Sequence, residues 1–276
     1  RLGLPTVYES HWYPKRFQRV LLTRIARSSN LKLVVTLTSA LRDRLTNMGF
    51  HANNVCVLPM GADLRRFDGL PSKESCRERL GLPLEQTIVG YLGRFQTMNQ
   101  EKGVPELIKS MRFLQSVNGH EPLLLCVGGP MEPVSSYKRL ARQIGLQESE
   151  LQFVDRVPNQ EAPLWIRAFD IALAPFPTSE HYTYYISPLK IFEYMAAGVA
   201  IVATDLPSLR DVLNHNDNAW LVEPDSPEAL AAGVDCLLAD ATLKKKLERR
   251  ARQTVKGYAW AQRASRILEL AAESKE

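Results

Sequence analysis

The feature that most constrains this 276-residue sequence is the alternation of short apolar runs with helical patterns. Strand–helix–strand repetition predicts parallel sheets with right-handed crossovers, and continuous apolar strands indicate sheets covered by helices on both faces. Amphipathic segments at a 3.6-residue period lie between most of the runs, for example at 104–114, 137–144 and 161–168. We therefore predict an α/β, doubly wound fold with strands at 6–9, 33–37, 55–58, 87–92, 123–127, 151–154, 171–174, 199–203 and 219–222.

A turn-rich break divides this pattern into two series. Proline, glycine and aspartate cluster at 59–61 and 68–71, a short helix is predicted at 73–80, and a new series begins at Thr87. We predict a partial Rossmann-like domain over 1–62, a linker over 63–84, a complete Rossmann-like domain over 85–258, and an amphipathic C-terminal segment over 259–276. A first domain of this type usually needs about 100–200 residues, so we expect an N-terminally truncated chain.

Composition narrows the class of protein. Hydrophobic residues make up 45% of the chain and charged residues 24%, which is typical of globular proteins. Neither a signal peptide nor an apolar run long enough for a transmembrane helix is visible. The four cysteines are scattered without a CxxC pair, so we expect reduced thiols and a cytoplasmic protein rather than disulfides or a zinc site.

The net charge of +5 is concentrated in one predicted helix. Such a basic helix is either a solvated surface or a contact with anionic lipid, which would make the protein peripheral at the inner membrane face. No aromatic interleaving or zinc-finger spacing accompanies the charge, so we expect no nucleic-acid partner. The basic residues are Lys244, Lys245, Lys246, Arg249, Arg250 and Arg252.

The strongest local signal is the segment from Ser187 to Gly198. Ser187 is a good N-cap, Pro188 suits the first helical position, and Gly198 suits the left-handed end of a helix. The predicted helix, 188–197, begins at the carboxyl edge of the sheet, where its free amides and dipole favour an anion. Glu193 then lies at a position from which it could reach sugar hydroxyls. The alternative is a well-capped structural helix with an exposed glutamate.

A second signal follows the predicted strand at 87–92. The chain continues as Gly93 and Arg94, and Lys102 precedes the next helix. An arginine that forks onto two oxygens and a lysine point charge can together hold a diphosphate. The glycines of this turn are spaced GxxG, so it is not the GxGxxG dinucleotide fingerprint, and by itself the turn is weak evidence.

His11 follows the first strand and could face a cleft between the domains, although a lone histidine is more often structural. Several other motifs are missing from the sequence. There is no DxD metal–diphosphate motif, P-loop, HExxH or GxSxG.

Together these features resemble retaining glycosyltransferases of family 4, the glycosyl transferases group 1, which have the GT-B fold of two Rossmann-like domains. The resemblance runs along most of the chain. It is carried by PTVYESH, VVTLTSALRDRLTNMGF, VCVLPMGADLRRF, VGYLGRF with EKGVPELIKS, SPLKIFEYMAAGVAIVATDLPSLRDVL, and YAWAQRASRILEL.

The resemblance implies a role for each matching position. Arg94 and Lys102, after Gly93, would hold the donor diphosphate, and His11 would face the transferred sugar from the other domain. The C-terminal helix would cross back to the N-terminal domain. The remaining donor-site residues would be Ser187, Pro188, Leu189 and Lys190 at the distal phosphate, Glu193 at the ribose, and the backbone of Arg156 and Val157 at the base.

The implied function is a metal-independent, retaining hexosyltransferase of polysaccharide biosynthesis. It would need no cofactor, and would move a sugar from a nucleoside diphosphate to a glycan, lipid-linked or small acceptor. The sequence departs from the family at Tyr185, where a glutamate is usual, and in a longer loop at 96–100. Alternatives are a catalytically inert nucleotide-sugar-binding protein and a nucleotide-sugar epimerase. A nicotinamide dehydrogenase is disfavoured, because no GxGxxG follows an early strand.

Overall fold

A computed structural model describes residues 4–14, 16–97, 100–117 and 119–273. The strands are β1 Thr6–Ser10, β2 Leu31–Thr36, β3 Val55–Val57, β4 Ile88–Arg94, β5 Gln96–Thr97, β6 Gln100–Glu101, β7 Leu123–Gly129, β8 Leu151–Val154, β9 Ile171–Ala174, β10 Ala200–Thr204 and β11 Trp220–Val222. The helices are α1 Arg16–Ala26, α2 Ser39–Asn47, α3 Lys73–Leu80, α4 Val104–Ser110, α5 Val134–Gln143, α6 Ala162–Arg167, α7 Glu180–Tyr184, α8 Leu189–Ala197, α9 Pro207–Arg210, α10 Pro227–Ala239, α11 Ala241–Thr254 and α12 Trp260–Glu273.

The strands form two parallel sheets. β1, β2 and β3 lie side by side in that order, and the larger sheet has the order β11-β10-β9-β4-β7-β8. β5 and β6 form a small antiparallel hairpin. The α/β class with parallel sheets that the sequence predicts is confirmed.

The predicted strands all form, with ends that differ from the predictions by at most two residues. The β5–β6 hairpin is a feature that the sequence analysis missed. It occupies the long loop after Arg94, where two-residue strands are too short to leave a hydrophobic period.

The larger sheet is buried on both faces because its strands alternate between two apolar clusters. Leu125 packs on one face, whereas Leu124 and Cys126 pack on the other. Each face therefore needs apolar residues, which explains why the strands are continuous apolar runs rather than alternating ones.

Two sets of contacts link the smaller sheet and its helix α2 to later parts of the chain. Arg263 of α12 donates to the carbonyls of Pro59 (2.9 Å) and Leu58 (3.2 Å), and lies 2.7 Å from the Glu9 carboxylate at the end of β1. The amide and hydroxyl of Ser39, at the start of α2, both bond to the carboxylate of Asp211. The domain limits given above stay predictions. None of the helices in the described ranges combines the length and apolarity needed to cross a membrane.

Candidate functional site

The topology of the larger sheet creates a switch point between β4 and β9. From β4 the chain builds outward through β7 and β8 on one side, then returns to build β9, β10 and β11 on the other. Connections on the two sides of such a point leave in opposite directions, so a crevice opens at the carboxyl ends of the strands. The residues that follow β4 and β9 therefore lie where a ligand would be expected.

Gly93 and Arg94 end β4 at this crevice. Gly93 faces Gly128 of the neighbouring strand, and a side chain on Gly128 would overlap the carbonyl oxygen of Gly93. Both glycines have positive φ, 140° and 144°, which L side chains rarely adopt. The Tyr91 hydroxyl donates to the Arg94 carbonyl at 2.5 Å, which holds the turn while the Arg94 side chain stays exposed.

Lys102 reaches the same crevice from the hairpin loop. Its amide donates to the Phe95 carbonyl at 3.0 Å, and the next residue, Gly103, has φ 89°. A side chain at Gly103 would overlap the carbonyl oxygen of Pro175, just after β9, so glycine is required for this close approach. Burial and the nearby charge of Arg94 lower the pKa of Lys102. The structure thus places the two cations together beside the ends of β4 and β9.

The helix α8 begins at this crevice, with a different cap from the one predicted. The helix runs over Leu189–Ala197, its N-cap is Pro188 in extended conformation, and no side chain caps it. Ser187 was predicted as the N-cap, but its hydroxyl instead accepts a hydrogen bond from the amide of Met60 at 2.9 Å, which ties the segment after β3 to the helix start. The amides of Leu189 and Lys190 come before Ile191, the first residue whose amide donates within this turn, to the Pro188 carbonyl, so they stay available to an anion.

Lys190 is the most unusual side chain in the site. It is only 8% exposed, its ammonium nitrogen lies 3.4 Å from the centroid of the Tyr91 ring, and it has no hydrogen-bond partner in the described part of the chain. Burial, reinforced by the charge of Lys102, lowers the pKa of Lys190 well below its ordinary value. The end of the side chain runs along the Gly93 turn, 3.1–3.2 Å from where a Cβ would stand there.

Glu193 lies deeper along α8 and pairs with Arg66 of the linker at 3.4 Å. The other terminal nitrogen of Arg66 donates to the carbonyl of Asn159 in the loop after β8. Burial raises the pKa of Glu193, against the opposing effect of Arg66. Glu193 is therefore a half-buried carboxylate that forms an ion pair with Arg66.

Arg156 and Val157 follow β8 on the outer side of the same edge. The Arg156 side chain covers Gly129, with its Nε 3.3 Å from a Cβ position there, and Gly129 is the strand partner of Arg94. Val157 is half-buried against the core of the larger sheet. Both residues thus lie along the edge that carries Arg94.

His11 directly follows β1, the first strand of the smaller sheet. Its Nε2 lies 2.9 Å from the carboxylate of Glu9, which also binds Arg263. Within the described ranges, no hydrogen bond or ion pair joins His11 to Arg94, Lys102 or Lys190. The pairing arises because the three groups lie on neighbouring ends of β1 and α12, outside the larger sheet.

Tyr185, which replaces the family's usual glutamate, packs toward the smaller sheet. It is 5% exposed, stacks on Tyr13 with ring centroids 6.1 Å apart, and its hydroxyl donates to Glu180 at 3.1 Å. The Arg44 guanidinium lies 5.2 Å from the Tyr185 ring and forms an ion pair with Glu180. At this position an aromatic contact between the two halves of the molecule takes the place of a carboxylate.

Two residues near the site were missed from the sequence. Arg66 stands in a linker motif that was interpreted only as a connection, and its link to Glu193 depends on the folding back of the linker. His181 is the second residue. Its pKa is lowered mainly by burial and also by the nearby positive charge of Lys102. Lys190 was predicted as a site residue from its position before the FEYM run. Its burial could not be predicted, because sequence spacing carries no signal for it.

The basic helix α11 lies away from this crevice. Lys246 donates to the carbonyl of Asn216 at 2.7 Å, and Arg250 lies 2.9 Å from Asp217, so part of its charge is paired within the chain. A cavity of about 680 Å³ adjoins the opposite end of α8, and is lined by residues that include Arg167, Gly198, Lys245, Arg249 and Arg252. The membrane contact proposed for this helix stays a prediction.

Comparison with known proteins decides the family. Residues 86–240 match the model of the family "Glycosyl transferases group 1", which is more than half of the chain. The chain belongs to this family. Among curated members, it is 25% identical over 245 residues to the D-inositol 3-phosphate glycosyltransferase of Corynebacterium urealyticum, covering 86% of this chain and 55% of that protein. It is 28% identical over 250 residues to the enzyme of the same name from Xylanimonas cellulosilytica, covering 88% and 57%.

The chain therefore spans about half the length of the curated relatives it matches. Among solved structures, the fold is similar to that of HepE from Anabaena in complex with UDP and glucose, with a TM-score of 0.78 at 20% identity. The match covers 98% of this chain and 72% of that one. This group 1 chain thus has the GT-B type of α/β fold.

Proposed function

We propose that the intact protein is a glycosyltransferase that takes its sugar from a nucleoside-diphosphate sugar. The observation that carries this proposal is the meeting of Arg94, Lys102 and the first amides of α8 at the switch point of the larger sheet. Three sources of positive potential at one crevice suit a diphosphate, which carries several negative charges in a small volume.

The proposed chemistry uses these groups on the leaving diphosphate. As the bond between the anomeric carbon and the β-phosphate oxygen breaks, the electron pair moves onto the phosphate. An acceptor hydroxyl oxygen forms the new bond to carbon, and its proton passes to the leaving phosphate oxygen. Preorganised cations and amides stabilise the charge that develops, and removal of one such donor typically costs about 2.7–4 kcal/mol of barrier. We therefore propose that transfer needs no metal ion, so that activity persists in excess EDTA.

The nucleoside would extend from the diphosphate toward Glu193 and the loop after β8. Glu193 is half-buried and would accept hydrogen bonds from the ribose hydroxyls, while the backbone of Arg156 and Val157 would read the base edge. His11 would approach the sugar from the other sheet, a role supported only by the family resemblance. Retention of the anomeric configuration has the same support.

UDP-sugars are the first donors to examine. The structurally similar HepE has been solved with UDP, with UDP and glucose, and with UDP-glucose. The names of the curated relatives describe transfer to D-inositol 3-phosphate and to phosphatidyl-myo-inositol. We propose an acceptor hydroxyl on a glycan, a lipid-linked molecule or a small polar molecule.

The test is a panel of UDP-, GDP- and ADP-sugars offered to the intact protein, with nucleotide binding followed by calorimetry and products by NMR. Transfer or slow hydrolysis that releases a nucleoside diphosphate supports the proposal. Nucleotide binding without any release of sugar would indicate an inert binding protein. Inversion of a stereocentre of the donor sugar in the absence of acceptor would indicate an epimerase. Failure of every nucleotide to bind would overturn the proposed donor site.

A further inference from the structure

The cavity of about 680 Å³ at the C-terminal end of α8 is a second concave surface, separate from the candidate donor site. It opens between the linker after β3 and the helix α11, and the lining includes Ala196 and Gly198 at the end of α8. Small-molecule sites typically have volumes of about 300–1,000 Å³. Five cationic side chains line the cavity against two carboxylates, and the cations are Arg167, Lys245, Arg249, Arg252 and Lys256.

The fold itself accounts for two of these cations. A terminal nitrogen of Arg167 donates to the carbonyl of Ala197, the last residue of α8, at 3.3 Å. The Arg252 side chain lies against Gly198, so that a side chain at Gly198 would overlap it. A positive charge at the C-terminal end of a helix interacts favourably with the helix dipole. Arg167 and Arg252 therefore stabilise the end of α8 and form the floor of the cavity.

Lys245 and Arg249 have no such explanation. They are exposed and one turn apart on α11, a spacing at which two like charges destabilise a helix. No hydrogen bond or ion pair joins either side chain to another residue in the described chain. The neighbouring ridge of the same helix is different, because Lys246 and Arg250 both bond to the turn at 216–217. Lys245 and Arg249 are therefore two uncompensated charges that line the cavity.

The two carboxylates of the lining indicate what else a ligand would carry. Asp68 belongs to the linker wall and Glu248 to α11. Burial raises the pKa of Glu248, and the nearby charges of Lys244 and Arg167 act in the opposite direction. Neither carboxylate forms an ion pair within the ranges that the structure describes, so both can accept hydrogen bonds from a ligand. A molecule with both phosphate groups and hydroxyls can bind the cations and the carboxylates at once.

We propose that this cavity is a second ligand site, which binds a soluble sugar or polyol that carries two phosphate groups. Lys245 and Arg252 are about 10 Å apart along the axis of α11, so two phosphates can be bound separately. The concave shape concentrates the positive potential of the lining in a small volume. A flat bilayer would reach the exposed Lys245 and Arg249, but not the half-buried Arg167. The site does not depend on the proposed function, because it shares no residue with the crevice.

Calorimetric titration of the intact protein with fructose 1,6-bisphosphate tests this site, with fructose as the uncharged reference. The test variant combines Lys245→Ala with Arg249→Ala. The matched control combines Lys246→Ala with Arg250→Ala, which removes the same charges from the neighbouring ridge of the same helix. Arg94→Ala shows whether the probe is held in the donor crevice instead. Co-sedimentation with phosphatidylglycerol vesicles measures binding to an anionic membrane.

The wild type, the control and Arg94→Ala are expected to bind the bisphosphate with similar Kd, and the test variant at least about tenfold more weakly. Fructose should not bind. Equal losses in the test variant and the control would indicate unspecific attraction to a basic helix and would overturn the inference. Loss in Arg94→Ala with retention in the test variant would also overturn it, because the probe would then occupy the crevice.

A wild type that binds anionic vesicles but not the bisphosphate would replace this site with a membrane contact. A wild type that binds neither would leave the cavity without a ligand of this class, and so would also overturn the inference. Each of these results leaves the proposed function intact, because that function is tested by nucleotide binding and sugar release. Failure of every nucleotide to bind would overturn the proposed function without affecting the bisphosphate result.

Discussion

The guanidinium of Arg66 lies 3.4 Å from the carboxylate of Glu193. This ion pair connects the linker between the sheets to α8. The same arginine reaches the carbonyl of Asn159, so it also fixes the loop that follows β8. Because the carboxylate is half-buried, the ion pair with Arg66 offsets part of the cost of removing its charge from water. The ribose-binding role proposed for Glu193 therefore depends on a residue outside the motif that contains it.

Replacing Glu193 with glutamine tests this role. The change removes a charged acceptor but keeps the shape, so we expect the Kd for UDP to rise about tenfold, the value of one hydrogen bond to a charged group. The loss should disappear for a uridine diphosphate that lacks both ribose hydroxyls. Calorimetry with the two nucleotides measures the difference, and Glu269→Gln on the exposed face of α12 is the matched control. Equal losses for both nucleotides would show that Glu193 does not contact the ribose.

Replacing Gly103 with alanine tests the close approach that positions Lys102. The new methyl group would overlap the carbonyl of Pro175, in addition to the strain of a positive φ. Gly81→Ala is the control, because Gly81 also has positive φ but nothing lies within 4 Å of its Cβ position. We expect Gly81→Ala to lower the free energy of unfolding by about 1 kcal/mol and Gly103→Ala by at least about 2 kcal/mol more. Urea unfolding that gave equal losses would contradict the contact.

Tyr185 is predicted to contribute stability rather than sugar recognition. It is buried and stacked on Tyr13, so Tyr185→Ala should lower the free energy of unfolding by about 3 kcal/mol. Tyr185→Phe loses only the hydrogen bond to Glu180 and should cost about 1 kcal/mol. The more exposed Tyr184 provides a control, Tyr184→Ala, with a smaller loss. A Tyr185→Phe protein with unchanged stability but an altered KM for the donor sugar would assign the hydroxyl to substrate.

The buried amine of Lys190 should destabilise the folded protein when no nucleotide is added. Lys190→Met removes an unsatisfied polar group, so we expect the free energy of unfolding to increase by about 1–3 kcal/mol near neutral pH. The native pKa of this lysine is lowered, so the unfolded chain binds the extra proton and the cost in the wild type falls as pH rises toward the ordinary lysine pKa. The advantage of the variant should therefore shrink in alkaline solution. Denaturant unfolding from neutral to alkaline pH measures it, and a constant difference would contradict a lowered pKa.

The strands could be predicted because the larger sheet is apolar on both faces. Runs such as 123–127 and 171–174 can satisfy two clusters at once, which leaves a signal that needs no tertiary information. The hairpin in the loop after Arg94 left no such signal, because two residues per strand are too few for a period. The family resemblance supplied the order of the parts, whereas the switch point between β4 and β9 is known only from the strand order of the structure.

The site was predicted only where chain position determines it. Arg94 ends β4 and Lys102 stands just before the start of α4, so their order in the chain predicts that both lie at the carboxyl edge of the sheet. The predicted N-cap of α8 was wrong, because the Ser187 hydroxyl accepts a hydrogen bond from the distant amide of Met60 instead of from its own helix. The Arg66–Glu193 pair and the aromatic surroundings of Lys190 are contacts between segments far apart in sequence, which no local pattern encodes.

The central claim is that one crevice recognises a diphosphate through Arg94, Lys102 and the start of α8, and the ratio of UMP to UDP affinity tests it most directly. UMP lacks the β-phosphate, so the wild type should bind UDP at least about tenfold more tightly than UMP. In Arg94→Ala and Lys102→Met, calorimetry should show this ratio falling toward one, whereas the control Arg249→Ala at the far end of α8 should keep it. A ratio that is near one in the wild type, or unchanged in both variants, would contradict the account.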